Sequence, residues 1–366
     1  MIINVGYALV GQDLELVKEV HIEVVDGTVT HIGRGYVGDA SMDLRHGIAI
    51  PALINAHLHI LDYAFPEYEA NLSLEEAVSE PHGLKHRLLS SLTVEDITNA
   101  CSSVFAKLYR SGVTTTIIFS ELPQANKIIK EAAKKYNIRS IPLGRPRGEI
   151  GVLEVLRDAD GLGLDSPLRY TRDKLVSLKE ICRAEEKLIS THVAENKVDY
   201  ERGDFELAIN QLDADILVHV THLKREDIEV LAERGKAVVV CPRSNMRLGA
   251  GIPPLAELLT HGVNVLLGTD NAGIVEPDLW REMEAAYDIL RLSGKRVDAK
   301  DILKMATVNA SKIKTLGVDG IIEEGVKADF IILNADEFHI SRSRDIYASL
   351  VKRGSPLAIL QIIKYK

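Results

Sequence analysis

Cysteine is scarce in this chain: three residues in 366 (Cys101, Cys182 and Cys241), far apart and forming no Cys-x-x-Cys pair. That excludes a disulfide framework and a cysteine-ligated zinc site, and it suits a reducing cytoplasm. Basic charge is also short. Lys and Arg total 44 against 53 Asp and Glu, a formal net charge of −9 at pH 7. Non-specific nucleic-acid binding needs a basic face, so the composition argues against it. No apolar run approaches the roughly 20 residues of a membrane-spanning helix. The opening MIINVGYALVGQDLELV lacks the basic start, apolar stretch and small-residue cleavage site of a secretory leader. Glutamine occurs only at positions 12, 124, 211 and 361, which suits a chain that works hot.

What remains is an ordinary globular composition, 46% hydrophobic and 27% charged, enough to bury a large core. The length suggests two domains, or one large barrel with an appendage. Residues 1–48 read as short strands and turns. Within them, KEVHIEVVDGTVTHIG is a hairpin, two alternating runs around Asp26-Gly27. Beyond 48 the texture changes, and short apolar runs alternate with helical segments. Eight such runs can be picked out: GIAIPALINAH, GVTTTIIFSE, IRSIPLGRP, DGLGLDSP, KLISTHVAE, DILVHVTHL, AVVVCPRSN and NVLLGTDNA. One intervening helix, TVEDITNACSSVFAKLYRSG, begins at an N-capping Thr93, carries Glu95 and Asp96 in its first turn and stops at Gly112. This pattern predicts an α/β fold, a (β/α)₈ TIM barrel over 49–317. The β-rich ends, 1–48 and 318–366, are expected to pair into a small β-sandwich.

Polar residues end several of these runs. His57 and His59 are two apart, so on a strand they project to the same side, into the mouth of a barrel if they end its first strand. His192 ends KLISTH, His219 ends DILVH and Asp270 ends NVLLGTD. Each has a bland reading. His-x-His arises by chance at strand ends, a lone histidine is commonly structural, and Thr-Asp after a strand is often a helix cap. Ligand-type residues at several independent strand ends weigh against coincidence. Three imidazoles and a carboxylate suit one divalent ion, zinc or alternatively iron, with a position left for water. Such an ion makes hydroxide available near neutral pH, and His219 and Glu195 stand ready to move protons.

The stretches PALINAHLH, STHVAEN, LVHVTHL, VVVCPRSNMRLGAGIPPLAELLTHGVNVLLGTDNAG and MATVNASKI…GIIEEGVKADFIIL resemble, in order and over nearly the whole chain, the amidohydrolase superfamily. The subgroup they resemble is the mononuclear aminohydrolases, with the S-adenosylhomocysteine and methylthioadenosine deaminases, guanine deaminase and the triazine chlorohydrolases. The resemblance implies that His57, His59, His192 and Asp270 hold the metal. It implies that His219 deprotonates the attacking water, that Asp270 shares its proton, and that Glu195 protonates a ring nitrogen as ammonia leaves. In LVHVTHL the match favours His219, and His222 starts the following loop. Binuclear relatives carry a bridging lysine after the fourth strand. DGLGLDSPLRYT has none, so one metal is expected.

The substrate pocket is harder to read. SEPHGLKHRLL offers Glu80, His82, Lys85, His86 and Arg87 as contacts, against the reading of a solvated surface helix. PLGRPRGE offers Arg145 or Arg147 for an oxyanion, and CPRSNMRLG offers Arg243, with Ser244 and Asn245 as supporting polar groups. Trp280 reads as helix core. Two departures from the family stand out: the excursion after the first strand lacks the aromatic-rich signature, and Asn271 replaces the Gly after the strand-eight Asp. The expected partners are a small-molecule substrate and a second copy of the chain. The leading activity is deamination of an amino-heterocycle. Cyclic-amide opening (imidazolonepropionase-like) or halo-triazine hydrolysis is the second reading, and an inactive binding protein the third.

Overall fold

The computed structural model describes residues 1–79, 82–146, 151–296 and 298–365. Near the N-terminus lie strands β1 (Ile2–Val10), β2 (Glu15–Val25), β3 (Thr28–Arg34) and β4 (Met42–Pro51). The β2–β3 hairpin turns on Asp26 and Gly27, whose φ of 48° and 76° are the left-handed pair a tight hairpin requires. Next come β5 (Leu53–His59), β6 (Val113–Ser120), β7 (Arg139–Gly144), β8 (Gly161–Leu164), β9 (Leu188–Val193), β10 (Ile216–His219), β11 (Ala237–Val240), β12 (Asn264–Leu267) and β13 (Asp270–Asn271). The chain closes with β14 (Asp329–Asn334) and β15 (Ile359–Lys364).

Two sheets result. One is parallel and curled, in the order β12-β11-β10-β9-β8-β7-β6-β5-β13. Its strands are near-continuous apolar runs because both faces are covered. Alternate residues such as Ile117, Phe119, Ile141, Leu143, Val218 and Val239 fill the concave interior. The other face packs on helices. Helix Val94–Arg110 shows how the sequence builds them. Thr93 Oγ1 accepts from Asp96 N while Asp96 Oδ2 accepts from Thr93 N, and Ile97, Cys101, Val104, Phe105 and Leu108 form the buried stripe. Trp280 lies in such a helix, buried, its Nε1 donating to the Ser111 carbonyl.

The second sheet joins the chain ends, in the order β15-β14-β4-β1-β2-β3. Here the expected sandwich is corrected: the strands form one six-stranded mixed sheet, hydrogen-bonded throughout. It curls around its own core of Val5, Ile22, Ala49 and Phe330, and Val29 donates to the Val326 carbonyl just ahead of β14. The apolar run 47–57, expected as one strand, is divided between the two sheets with only Ala52 between β4 and β5. Among the described residues no helix is long and apolar enough to cross a membrane.

Candidate metal centre and active site

The carboxyl ends of the parallel strands form the site. Ile54 and Ala56 of β5 face the interior, and so do His57 and His59. The change of parity coincides with a register shift between Asn55 and Leu58 in the pairing with β6, a bulge that turns both imidazoles inward. His192 ends β9 on its interior side. Asp270 opens β13, three residues past β12. Asn55 bridges that gap: its Oδ1 accepts from Thr269 N and its Nδ2 donates to Thr269 Oγ1. His219 would point outward from a regular β10, but its φ of 73° re-aims it into the mouth. Val220, Asp270 and Ala194 are also left-handed, at 48°, 62° and 49°. Such backbone costs of order 1–3 kcal/mol per residue and persists where the surroundings impose it.

His57, His59, His192 and Asp270 are buried, with ligand atoms mutually within 4.8 Å. His59 Nδ1 lies 2.5 Å from Glu121 Oε1, and His192 Nδ1 lies 3.0 Å from the Asp165 carbonyl oxygen. Both acceptors call for the proton on Nδ1, which leaves lone pairs on both Nε2 atoms. Those lone pairs face each other at 3.3 Å, with Asp270 Oδ1 3.4 Å from His59 Nε2. Three acceptors crowded this way repel unless a cation stands among them. His57 Nε2 completes the group, 3.1 Å from Asp270 Oδ1 and 3.3 Å from His192 Nε2. Ligands about 2.0–2.1 Å from a tetrahedral ion stand ~3.3–3.4 Å apart, so the donor set fits one divalent metal.

The protonation states agree with this. Burial pulls His57 down to about 3, against the pull of Asp270, and holds His192 well below the usual imidazole range. Both are therefore neutral, as metal ligands must be. Burial alone would raise Asp270; contact with His57 and the other imidazoles outweighs it, and the carboxyl stays well below its ordinary value. Ser244 Oγ donates to Asp270 Oδ2 at 2.5 Å. Phe119 packs edge-on against His57, ring centroids 4.5 Å apart, as a dry floor.

Beside these ligands, His219 Nδ1 donates to Asn245 Oδ1 at 2.8 Å, and Asn245 Nδ2 donates on to Thr221 Oγ1. His219 Nε2 is thus left as an acceptor, 3.7 Å from Glu195 Oε1. Burial raises the Glu195 carboxyl, although its side chain keeps 19% exposure and His219 opposes the shift. One cavity joins Glu195, His219, His59, His192 and Asp270. Among the described residues its wall carries no Phe, Tyr or Trp; Leu74, Val78 and Leu248 supply the apolar part, and Ser79, Asp165, Arg169 and Asp199 the polar part.

The expected substrate contacts are placed differently. Arg145 is buried, its Nη2 3.4 Å from Asp165 Oδ1. Arg243 is turned to a buried carboxylate, with Nη1 3.3 Å from Glu282 Oε1 and its backbone N donating to Glu282 Oε2. His86 is buried, with Nε2 3.0 Å from the Val78 carbonyl, and does not line the cavity. Lys85 borders the cavity but is buried against Glu121 and Asp62. His82 and Arg87 are exposed, while Glu80 and Arg147 lie outside the described residues. His222 sits in the loop after β10 with Nε2 against the Ala250 carbonyl. Sequence reasoning missed Glu121, Asp62, Asp165 and Arg169. None sits in a motif, and only the end of a β-run (IIFSE) hinted at Glu121.

A parallel α/β sheet whose strand ends gather three imidazoles and a carboxylate in a polar cavity defines a protein with a single-metal pocket. The chain belongs to the amidohydrolase family, whose model matches residues 48–362. It is 31% identical over 384 aligned positions to a putative aminohydrolase of Methanothermobacter thermautotrophicus, covering 99% of this chain and 97% of the relative. It is 29% identical to a 5-methylthioadenosine/S-adenosylhomocysteine deaminase of Natronomonas pharaonis, covering 90% and 83%. Among solved structures, atrazine chlorohydrolase from Arthrobacter aurescens, complexed with zinc, superposes with a TM-score of 0.84 at 18% identity, covering 100% of this chain and 94% of the other.

Proposed function

We propose that this chain is a metal-dependent deaminase that hydrolyses an amino-substituted heterocycle, releasing ammonia. The observation that carries the reading is the pairing of a four-ligand metal cluster with Glu195 and His219 across one cavity. The relatives named as aminohydrolase and deaminase support the reaction class. The donor set, three imidazole nitrogens and one carboxylate oxygen, suits zinc. When bound, a divalent ion there supplies Lewis acidity and brings the pKa of water down to about 7.

The remaining work falls to the side chains. His219, its Nδ1 turned to Asn245 and its Nε2 to the cavity, accepts a proton from the attacking water at Nε2, and Asp270 shares that load. Glu195, whose carboxyl burial raises, is the acid that donates to the ring nitrogen next to the attacked carbon. Oxygen from water then replaces the amino group, which leaves as ammonia. Among the described residues the cavity wall offers mainly polar side chains, which suits a substrate held by hydrogen bonds. β12 and β13 act as one interrupted eighth strand, pairing with β11 on one side and β5 on the other, so the curled sheet is read as a closed (β/α)₈ barrel. Ammonia release against a panel of aminopurines, aminopyrimidines and pterins tests the proposal. Glu195→Gln is expected to keep the metal and lose about 10²–10⁴-fold in kcat. Ring-opened acid from a cyclic amide, with no ammonia from any amino-heterocycle, overturns it.

A further inference from the structure

Behind the metal ligands lies a second convergence of donors. His59, Asp62 and Glu121 have ligand atoms mutually within 4.8 Å, and all three are buried. Left alone, two buried carboxylates this close would need a cation. The chain supplies one itself: Lys85 Nζ stands 2.8 Å from Glu121 Oε1 and 3.2 Å from Asp62 Oδ2, and its side chain is only 5% exposed. The same Glu121 oxygen accepts from His59 Nδ1, so the ammonium and a metal-facing imidazole share one anchor. Glu121 Oε2 is buried with no hydrogen-bond partner, which leaves coordinating capacity in reserve.

Asn271 belongs to the same unit. Its Nδ2 donates to Asp62 Oδ1 at 3.1 Å and to Tyr68 OH at 2.8 Å. The residue that departs from the family pattern after Asp270 therefore holds Asp62 in place from the other side. The excursion after β5, which also departs from the family pattern, contributes Asp62 and Tyr68.

We infer that Lys85 is a built-in second cation: it occupies the position that Asp62 and Glu121 would otherwise offer to another divalent ion, beside His59, whose Nδ1 joins them once its proton is released, and so fixes the metal stoichiometry at one. This rests on the reading that His57, His59, His192 and Asp270 hold a metal. The distinction from a substrate-binding lysine is physical. Two of the three donors of this ammonium are spent on carboxylates that have no other counter-charge among the described residues in contact with them, a commitment that a substrate contact does not require.

The test is metal content. Wild type and variants are incubated with excess zinc, desalted and analysed for zinc per chain by elemental mass spectrometry. Wild type is expected to hold one equivalent and Lys85→Ala two. Lys85→Ala/Asp62→Asn is expected to return to one, because a carboxylate of the second site is gone. Lys85→Ala is refolded both without and with zinc, and recovery of folding only with zinc, at two equivalents, also supports the inference. Two equivalents in wild type, two in the double variant, or no more than one in a folded Lys85→Ala overturns it. So does a Lys85→Ala chain that folds at no zinc concentration up to about millimolar, the weak end of protein metal sites. No zinc in wild type instead overturns the metal-dependent reading on which the inference rests.

Discussion

Gly268 gives the sharpest test of how the metal cluster is built. It lies in the gap between β12 and β13, on the interior side, against the first metal strand. A methyl group there would stand 2.7 Å from His57 Cβ, 2.9 Å from His57 N and 2.9 Å from Val239 Cγ1. Real Cβ atoms do not tolerate such contacts, and two of the three partners are fixed by backbone. His57 N belongs to a strand paired on both sides, so no rotamer change relieves the clash. Overpacking of this kind costs about 1–3 kcal/mol. The cheapest relief is displacement of His57 from a cluster whose measured spacings run from 3.1 to 3.4 Å. At about 1.4 kcal/mol per tenfold, Gly268→Ala should weaken zinc binding roughly 5- to 140-fold. Competition with a chromophoric chelator measures the affinity, and thermal melting of the metal-free protein separates loss of fold from loss of site. Gly38→Ala is the control, since nothing lies within 4 Å of its added methyl. Wild-type affinity and melting temperature in Gly268→Ala would refute the packing argument.

Three further outcomes are expected. His57→Ala should lose its metal on dialysis, whereas His219→Ala should retain it and lose turnover; equal retention and activity in both would break the assignment of roles. Arg243→Ala should destabilise the fold by about 1–3 kcal/mol, because the buried Glu282 carboxyl, pushed up to about 8 by burial, loses a hydrogen-bonding partner. A raised KM with an unchanged melting temperature would instead return Arg243 to the substrate pocket. Asp204, which accepts from Ala194 N next to Glu195, is pushed up to about 7 by burial. The native state then binds a proton that the unfolded chain has already released, so this group's stabilisation is full below pH 4 and lost as pH rises through 7. Asp204→Asn should flatten the fall in melting temperature between about pH 4 and 7, and an unchanged slope counts against the assignment.

Features with a local cause were legible in the sequence. The Asp26-Gly27 turn needs two left-handed residues, and the helix after Thr93 is signalled within four positions. The ligand positions could be read because each follows an apolar run, and strand ends on one edge of a parallel sheet must meet. What escaped depends on partners distant in sequence. Arg243 and Arg145 carry the right chemistry for a substrate oxyanion, but Glu282 and Asp165 claim them, and nothing near either arginine announces this. Lys85 sits in what reads as a surface helix, yet faces inward to carboxylates from two other segments. The run 47–57 is divided between two sheets directly after Pro51, a local signal for a strand boundary that a one-strand reading passes over. The single end sheet in place of a sandwich follows from the pairing of β4 with β14, whose residues lie about 280 positions apart.

That division has a consequence for how the protein assembles. Only Ala52 separates β4 from β5, so the alignment of the end sheet is passed directly to the strand bearing His57 and His59. A slip by one residue anywhere in that alignment would turn both imidazoles away from the cavity. The alignment of β4 is set on one edge by β1, available early in synthesis, and on the other by β14, about 280 residues later in the chain. Closure of so distant a contact is slow, which makes β14 a late proofreader: a misaligned nascent strand has the whole time of synthesis in which to shift before its register is sealed.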